Sequence, residues 1–179
     1  ALSYQNKGVL LVAPSGTGKS TTCWGLINQG FGYLSDELAP IDLNNQTIQP
    51  YPHAVCLKAR PPMYPLCDQD VLKTSHTLHV SGGQVLKAVV SKPILLKAIF
   101  FLEFDRTLKE IIIEPLGRVD AAARLYSNAL NVLAHASSEK DYGLDTAIRC
   151  ADFTKNFRLV VNYLDQTAID IKTCLKSIS

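Results

Sequence analysis

Residues 13–20, APSGTGKS, match the phosphate-binding pattern G-x-x-x-x-G-K-[ST], except that Ala13 stands where the first glycine is usual. Glycines at these spacings let backbone N–H groups point inward as a nest for an anion, and a helix that follows adds the positive end of its dipole. In this pattern Lys19 reaches the terminal phosphates of a nucleotide and the Ser20 hydroxyl ligates Mg²⁺, so we predict ATP and Mg²⁺ as ligands. The predicted nucleotide-binding residues of the loop are Ser15, Gly16, Thr17, Gly18, Lys19, Ser20 and Thr21.

The elements around this loop have the types that the pattern needs. The apolar run Val9 to Val12 predicts a buried strand before the loop, and a helix is predicted from Lys19 to Asn28 after it. A simpler interpretation, a Gly/Ser turn with a solvated lysine, leaves the agreement of strand, glycine spacing, Lys19-Ser20 and helix unexplained. We therefore favour the phosphate-binding loop.

A carboxylate pair follows where the next strand should end. The helix carries the chain about 15 Å away from the loop, and a strand from Phe31 to Asp36 returns about 20 Å. A parallel right-handed crossover then places Asp36 beside the loop, at the carboxyl edge of the sheet. Asp36 is predicted as the base for an incoming hydroxyl, and Glu37, which points to the opposite face, as the metal-side carboxylate. The alternative is that both are ordinary solvated carboxylates at a strand end.

The segments GTGKST and GFGYLSDELAPI, separated by a helix-sized gap, resemble the catalytic domain of HPr kinase/phosphorylase and its relatives. The resemblance implies an α/β fold with a P-loop and a mixed sheet, related to that of phosphoenolpyruvate carboxykinase. It implies that Asp36, the first of two consecutive acids, is the catalytic base that deprotonates a serine, with Glu37 in the position of the second acid. The catalytic residues are thus predicted to be Asp36 and Lys19.

Two further segments extend the resemblance. PYPHAVCLK implies that Lys58 lies near the phosphates, and PLGRVDAAARLYSNALN implicates Arg118. The family's upstream histidine would fall before Ala1, and its glycine-rich substrate segment has no counterpart here. Short relatives phosphorylate a serine of a precursor peptide, including lasso-peptide precursors. The resemblance therefore implies a serine kinase that acts on a peptide or small protein, and the ring-like assemblies of the family imply a possible homo-oligomer.

Composition limits the other classes of function. The chain has 179 residues, 47% of them apolar, which predicts one packed domain over residues 1–179. A net charge of +2 without long charge runs gives no footprint for nucleic acid or a membrane surface. Five cysteines without a C-x-x-C pair predict free thiols and a cytoplasmic location. No apolar stretch reaches the roughly 18 residues that a membrane span needs. Because the sequence begins at Ala1 without a methionine, we expect that natural residues precede it.

The remaining pattern predicts an α/β domain with a mixed sheet. NNQ at 44–46 is predicted as the turn of a hairpin, and the proline-rich residues 58–70 as a loop. Strands are predicted at VLKAVV (85–90), LLKAIFFLEF (95–104), LKEIIIEPL (108–116) and FRLVVNYL (157–164). Helices are predicted from Val119 through Leu130 and Leu133, from Leu144 to Lys155, and over TAIDIKTCLKSI (167–178).

Two other interpretations are less consistent with the residues. VSGGQVLKAVVSKPILL (80–96) is similar to a transport-ATPase signature, but Leu102 replaces the aspartate that such a motor needs, and a Ser-Gly-Gly turn explains the same letters. His76 and His79, with Asp68 and Asp70 nearby, do not have the spacing of a metal site. A nucleotide-gated binding module and a small-molecule P-loop kinase stay open as alternatives to the serine kinase.

Overall fold

The fold was analysed in a computed structural model that describes residues 1–61, 63–129, 142–162 and 164–178. The strands are β1 (Leu2–Tyr4), β2 (Lys7–Val12), β3 (Gly32–Tyr33), β4 (Ile41–Asp42), β5 (Thr47–Ile48), β6 (Val55–Leu57), β7 (Val71–Lys73), β8 (Leu78–Val80), β9 (Ile94–Phe104), β10 (Ile112–Pro115) and β11 (Lys155–Val161). The α-helices are α1 (Lys19–Asn28), α2 (Gly83–Ala88), α3 (Arg118–Asn128), α4 (Tyr142–Phe153) and α5 (Leu164–Ser177).

The larger sheet is mixed, which confirms the predicted fold class at the level of a mixed α/β fold. Its main path runs β10-β11-β9-β2-β1-β3, and the β4–β5 hairpin attaches to the start of β9. Strands β11, β9 and β2 are parallel, whereas β1 and β10 pair antiparallel with their neighbours. The centre of β9, from Ala98 to Leu102, is buried on both faces, as expected for a parallel strand with helices on each side.

Two apolar layers cover this sheet. On one face α1 and α5 pack over the side chains of Val9, Leu11 and Phe100, together with the small sheet β6-β8-β7. On the other face α3 and α4 pack over Leu10 and Phe101. The alternation of Leu10 and Leu11 between the two clusters follows from the period of two in a strand. The carboxyl end of β2 therefore opens between the two layers, at the point where residues 13–18 begin.

Several predicted elements are confirmed with small shifts at their ends. Helix α1 covers the predicted Lys19–Asn28, and β9, β10, β11 and α5 lie within or close to their predicted ranges. Helix α4 ends at Phe153, two residues before the predicted Lys155, because Lys155 already belongs to β11. The 44–46 turn joins the short hairpin of β4 and β5. The predicted helical positions Leu130 and Leu133 lie outside the described residues.

The predicted strand at 85–90 is wrong, since residues 83–88 form α2. The cause is a long-range contact that the local pattern does not contain. The Asp70 carboxylate lies so close to Gly82 and Gly83 that a Cβ on either residue would overlap it, and Gly83 has a φ of +54°. Here the Ser-Gly-Gly segment leads from β8 into a helix, rather than turning between two strands.

The strand predicted from Phe31 to Asp36 is shorter than expected. Only Gly32 and Tyr33 pair, and their partner is β1, which lies between β2 and β3. Strand β3 still runs in the same direction as β2, because both are antiparallel to β1. Leu34 and Ser35 follow β3 in the chain, and both donate their backbone N–H groups to the carbonyl of Ala1. The chain thus reaches Asp36 outside regular sheet pairing.

An ion-pair network ties α3 to three strands of the sheet. Glu103 on β9 accepts hydrogen bonds from Arg124 on α3 at 2.8 Å and from Arg158 on β11 at 2.8 Å, and Arg158 also lies 3.3 Å from Glu114 on β10. These side chains are about one third exposed or more, so solvent screens the network. Hydrogen bonding from Arg158 and Arg124 nevertheless lowers the pKa of the Glu103 carboxyl.

We expect Glu103→Gln to destabilise the fold by about 1 kcal/mol at neutral pH, which corresponds to a fall in Tm of about 2–4 °C. Because the folded-state pKa of Glu103 is depressed, its stabilising effect is present above the unfolded pKa of about 4.3. The effect is lost as the pH falls through the folded pKa. Thermal unfolding of both proteins at neutral and acid pH measures it, with the exposed Glu110→Gln as control. A Tm difference that persists unchanged in acid would contradict this account.

Candidate active site

The loop between β2 and α1 has the backbone conformation that its glycines predict. Gly16 and Gly18 adopt φ values of +88° and +98°, in the left-handed region that favours glycine. Gly18 caps α1 without a side-chain hydrogen bond. No acceptor in the described part of the chain takes a hydrogen bond from the backbone N–H groups of residues 16–20. These donors, together with the first turn of α1, suit an anion such as phosphate.

Lys19 folds back over the loop that precedes it. Its Nζ donates to the carbonyl of Ala13 at 2.5 Å and to that of Pro14 at 2.9 Å, and the Thr17 hydroxyl also donates to Pro14 at 2.9 Å. Burial lowers the pKa of Lys19, and the negative charge of Asp36 opposes this effect. The loop carbonyls therefore hold the ammonium group against the segment that precedes α1.

Asp36 lies at the other side of this loop. Its Oδ2 accepts the backbone N–H of Cys56 at 2.9 Å, so it bridges the loop and strand β6. Burial raises the pKa of the Asp36 carboxyl, and hydrogen bonding from Cys56 N–H and from the Ser20 side chain opposes the rise. A partly buried carboxylate of raised pKa beside a lysine is the environment expected of a general base.

The other predicted site residues differ in their placement. Lys58 lies next to the loop, since its Nζ is 3.7 Å from the point where a Cβ on Gly16 would stand. Glu37 is exposed directly beside Asp36, and its charge raises the pKa of Asp36. Arg118 begins α3 and pairs with Asp152 of α4 at 3.2 Å, with its side chain 71% exposed. The loop, Asp36 and Lys58 are brought together. The contact described for Arg118 is with α4, which packs beside α3 on the face of the sheet opposite to α1.

Sequence reasoning missed a second group of polar residues behind Asp36. The Cys56 Sγ lies 3.4 Å from His79 Nδ1, and His79 Nε2 lies 2.8 Å from the Thr77 hydroxyl. Cys56 and His79 face each other because β6 and β8 pair in that register. Burial raises the pKa of the Cys56 thiol, as do the charges of Glu37 and Asp36, so the thiol is held protonated rather than activated. Only the register of β6 against β8, two strands that are not consecutive in the chain, could have revealed this pair, and the sequence carries no local signal for it.

The residues present fit a nucleotide triphosphate and its metal. The loop offers unpaired N–H donors, Lys19 and Lys58 add positive charge, and the hydroxyl of Ser20 with the nearby carboxylates of Asp36 and Glu37 are oxygen groups of the kind that Mg²⁺ prefers. A Cβ at Gly18 would meet no atom within 4 Å, so the space beside this residue is open. The donor set thus matches both the anion and the hard cation that the sequence pattern predicts.

The sheet and its helices define this chain as a mixed α/β protein, in which a glycine-rich loop follows the parallel strand β2. No protein-family model matches the sequence, and a search of curated proteins finds no relative. Among solved structures, the chain is similar to the Hpr(Ser) kinase/phosphatase from Coxiella burnetii. The similarity has a TM-score of 0.44 and 13% sequence identity, and covers 98% of this chain and 89% of that chain.

A separate property concerns the helices as a whole. Within residues that the structure describes, none of the helices combines the length and the apolar character that crossing a membrane requires.

Proposed function

We propose that this chain is an ATP- and Mg²⁺-dependent kinase that transfers the γ-phosphoryl group to a serine hydroxyl of a protein or peptide. The observation that carries the proposal is the convergence of Lys19, Ser20 and Asp36 at the carboxyl end of β2, where the Asp36 carboxyl interacts with both other side chains. Phosphate binding without catalysis would already account for the presence of Lys19 and Ser20 at this loop. A partly buried carboxylate on the same site adds a group that can take up a proton.

Each residue has a distinct role in this proposal. Asp36 accepts the proton of the serine hydroxyl while that oxygen bonds to the γ-phosphorus and the bond to the departing ADP oxygen breaks. Lys19 and the N–H groups of residues 15–21 hold the phosphates and offset their charge. Ser20 and Glu37 would hold Mg²⁺, which when bound would neutralise part of the phosphate charge.

The remaining assignments are also part of the proposal. Lys58 supports the phosphates from the side of β6, because its ammonium group lies over Gly16. Arg118 would need its Asp152 ion pair to open before it could contribute to the site. The resemblance in the motifs also suggests a P-loop fold of the HPr kinase type, a peptide or small-protein acceptor in the cytoplasm and assembly with further copies of the chain. Neither nucleic acid nor a membrane is proposed as a partner.

Transfer of label from ATP tests the proposed function directly. The chain is incubated with ATP labelled at the γ-phosphate, Mg²⁺ and three matched peptides that carry serine, threonine or alanine at one position. We expect label in the serine peptide, found as phosphoserine by mass spectrometry, and none in the alanine peptide. Tight binding of ATP without label in any peptide would contradict the kinase and favour a nucleotide-gated binding module.

A further inference from the structure

A cavity of about 430 Å³ opens next to the phosphate loop, on the side of the small sheet. Lys58 belongs to both sites, because it lines this cavity while its ammonium group lies 3.7 Å from the Cβ position of Gly16. Two residues before Lys58, the backbone of Cys56 binds the Asp36 carboxylate. The cavity therefore adjoins the loop through Lys58, and the proposed base is bonded to β6, the strand that leads into Lys58. Its lining consists of Lys58, Ala59, Arg60, Asp68, Val71, Lys73 and Leu78.

Positive charge dominates this lining. Three of its side chains are cationic, Lys58, Arg60 and Lys73, against one carboxylate, Asp68. The carboxylate forms an ion pair with Arg60, which also donates to the carbonyl of Leu66 at 3.3 Å. Arg60 uses two of its five N–H donors in these contacts and keeps the others for the carboxylate of a ligand. The charge left over in the cavity is positive.

The rest of the lining is apolar. Val71 on β7 and Leu78 on β8 line the cavity, and both are partly exposed. Such a surface suits the methylene groups of a side chain, with the charged end directed to the cations. A ligand with both an aliphatic stem and a carboxylate would use both halves of the cavity.

In the proposed function the phosphates of a nucleotide are held by the loop N–H groups, Lys19 and Lys58. With Lys58 directed to the loop, Arg60 and Lys73 are the cations of the lining that remain for a second ligand, and opposite charge favours an anion there. Lys58 and the hydrogen bond of Cys56 to Asp36 connect the cavity to the loop and to the proposed base, so a ligand in the cavity lies on the β6 side of the proposed site. This argument rests on the proposed kinase function.

We propose that this cavity selects the acceptor, binding an acidic residue of a peptide close to the serine that is phosphorylated. The aspartate or glutamate side chain lies on Val71 and Leu78, with its carboxylate between Lys73 and Arg60. The serine of the same peptide then reaches Asp36 across Lys58. Opposite charge in the cavity and the peptide sets the affinity for the acceptor, while the chemistry stays with the loop and Asp36.

Three synthetic peptides test this selectivity, each with one serine and with neighbouring positions occupied by Asp, Asn or Lys. We expect the KM of the Asp peptide to be at least about tenfold below that of the Asn peptide, with similar kcat, and the Lys peptide to be the poorest acceptor. Fluorescence anisotropy with labelled peptides gives the same ranking for binding alone. Transfer at equal KM to all three peptides would overturn the inference and leave the kinase proposal standing.

Variants of Lys73 sharpen the test, because its side chain is exposed and is not part of the loop. Lys73→Gln should raise the KM of the Asp peptide about tenfold, and Lys73→Glu should reverse the preference toward the Lys peptide. Lys87→Gln on α2, outside the cavity, is the matched control, and the KM for ATP should not change in any variant. A rise in the KM for ATP instead would assign the cavity to the nucleotide and overturn the inference. Charge-selective peptide binding without transfer to any peptide would support the cavity while contradicting the kinase.

Discussion

Replacing Asp36 by Asn is expected to lower the rate of phosphoryl transfer about 10²- to 10⁴-fold, the usual contribution of a general base. The amide is nearly the same size as the carboxylate, and its oxygen can still accept the N–H of Cys56. It cannot take up the proton of the acceptor hydroxyl. The loss should therefore fall on kcat, while the affinity for ATP and the Tm stay close to those of the original chain.

Single-turnover transfer, isothermal titration with ATP and thermal unfolding separate the two effects. Glu37→Gln distinguishes the two neighbouring carboxylates. Because Glu37 is proposed to hold the metal, this substitution should change how the transfer rate depends on Mg²⁺ concentration, while the base at Asp36 stays in place. Asp42→Asn, in the turn between β4 and β5, is a control at a carboxylate remote from the loop. If Asp36→Asn lowers Tm and ATP binding but not transfer, Asp36 only anchors β6 to the loop.

Local sequence was sufficient to predict the loop and its helix. The glycine spacing predicts left-handed conformations, observed at Gly16 and Gly18, and helix α1 begins and ends at the predicted residues. These features depend on interactions within a few residues of the chain. The type and position of β9 were predictable for a similar reason, because its short apolar centre, AIFFL at 98–102, is rich in β-branched and aromatic residues, as is typical of a buried strand.

Contacts between distant segments were beyond the sequence pattern. The insertion of β1 between β2 and β3 depends on pairing of Leu2 with Val9 and Tyr33, which no local pattern indicates. The chain nevertheless brings Asp36 to the loop, because β3 keeps the direction of β2 and only the strand between them differs from the expected order. Two other contacts also join residues that are far apart in the sequence: Asp36 accepts the N–H of Cys56 on β6, and Asp70 lies against Gly82.

Replacing Lys19 by Ala is expected to weaken ATP binding about 10- to 100-fold, the equivalent of one charged hydrogen bond of roughly 1.5–3 kcal/mol. The transfer rate should fall further, by about 10²- to 10³-fold, since the ammonium group also offsets charge that develops during transfer. Lys19→Arg should restore little of the rate. Its planar guanidinium cannot reproduce the compact contacts of Nζ with the carbonyls of Ala13 and Pro14.

Titration calorimetry with ATP and single-turnover transfer measure the two losses, and Lys155→Ala on the exposed end of β11 is the matched control. Thermal unfolding of each variant is needed as well, because removal of Nζ also removes its hydrogen bonds to the loop. Wild-type affinity for ATP in Lys19→Ala, with an intact fold, would show that residues 13–20 do not hold the nucleotide phosphates. In that case the proximity of Asp36 to the loop would carry no catalytic meaning, since the group that it faces would not be the phosphoryl donor.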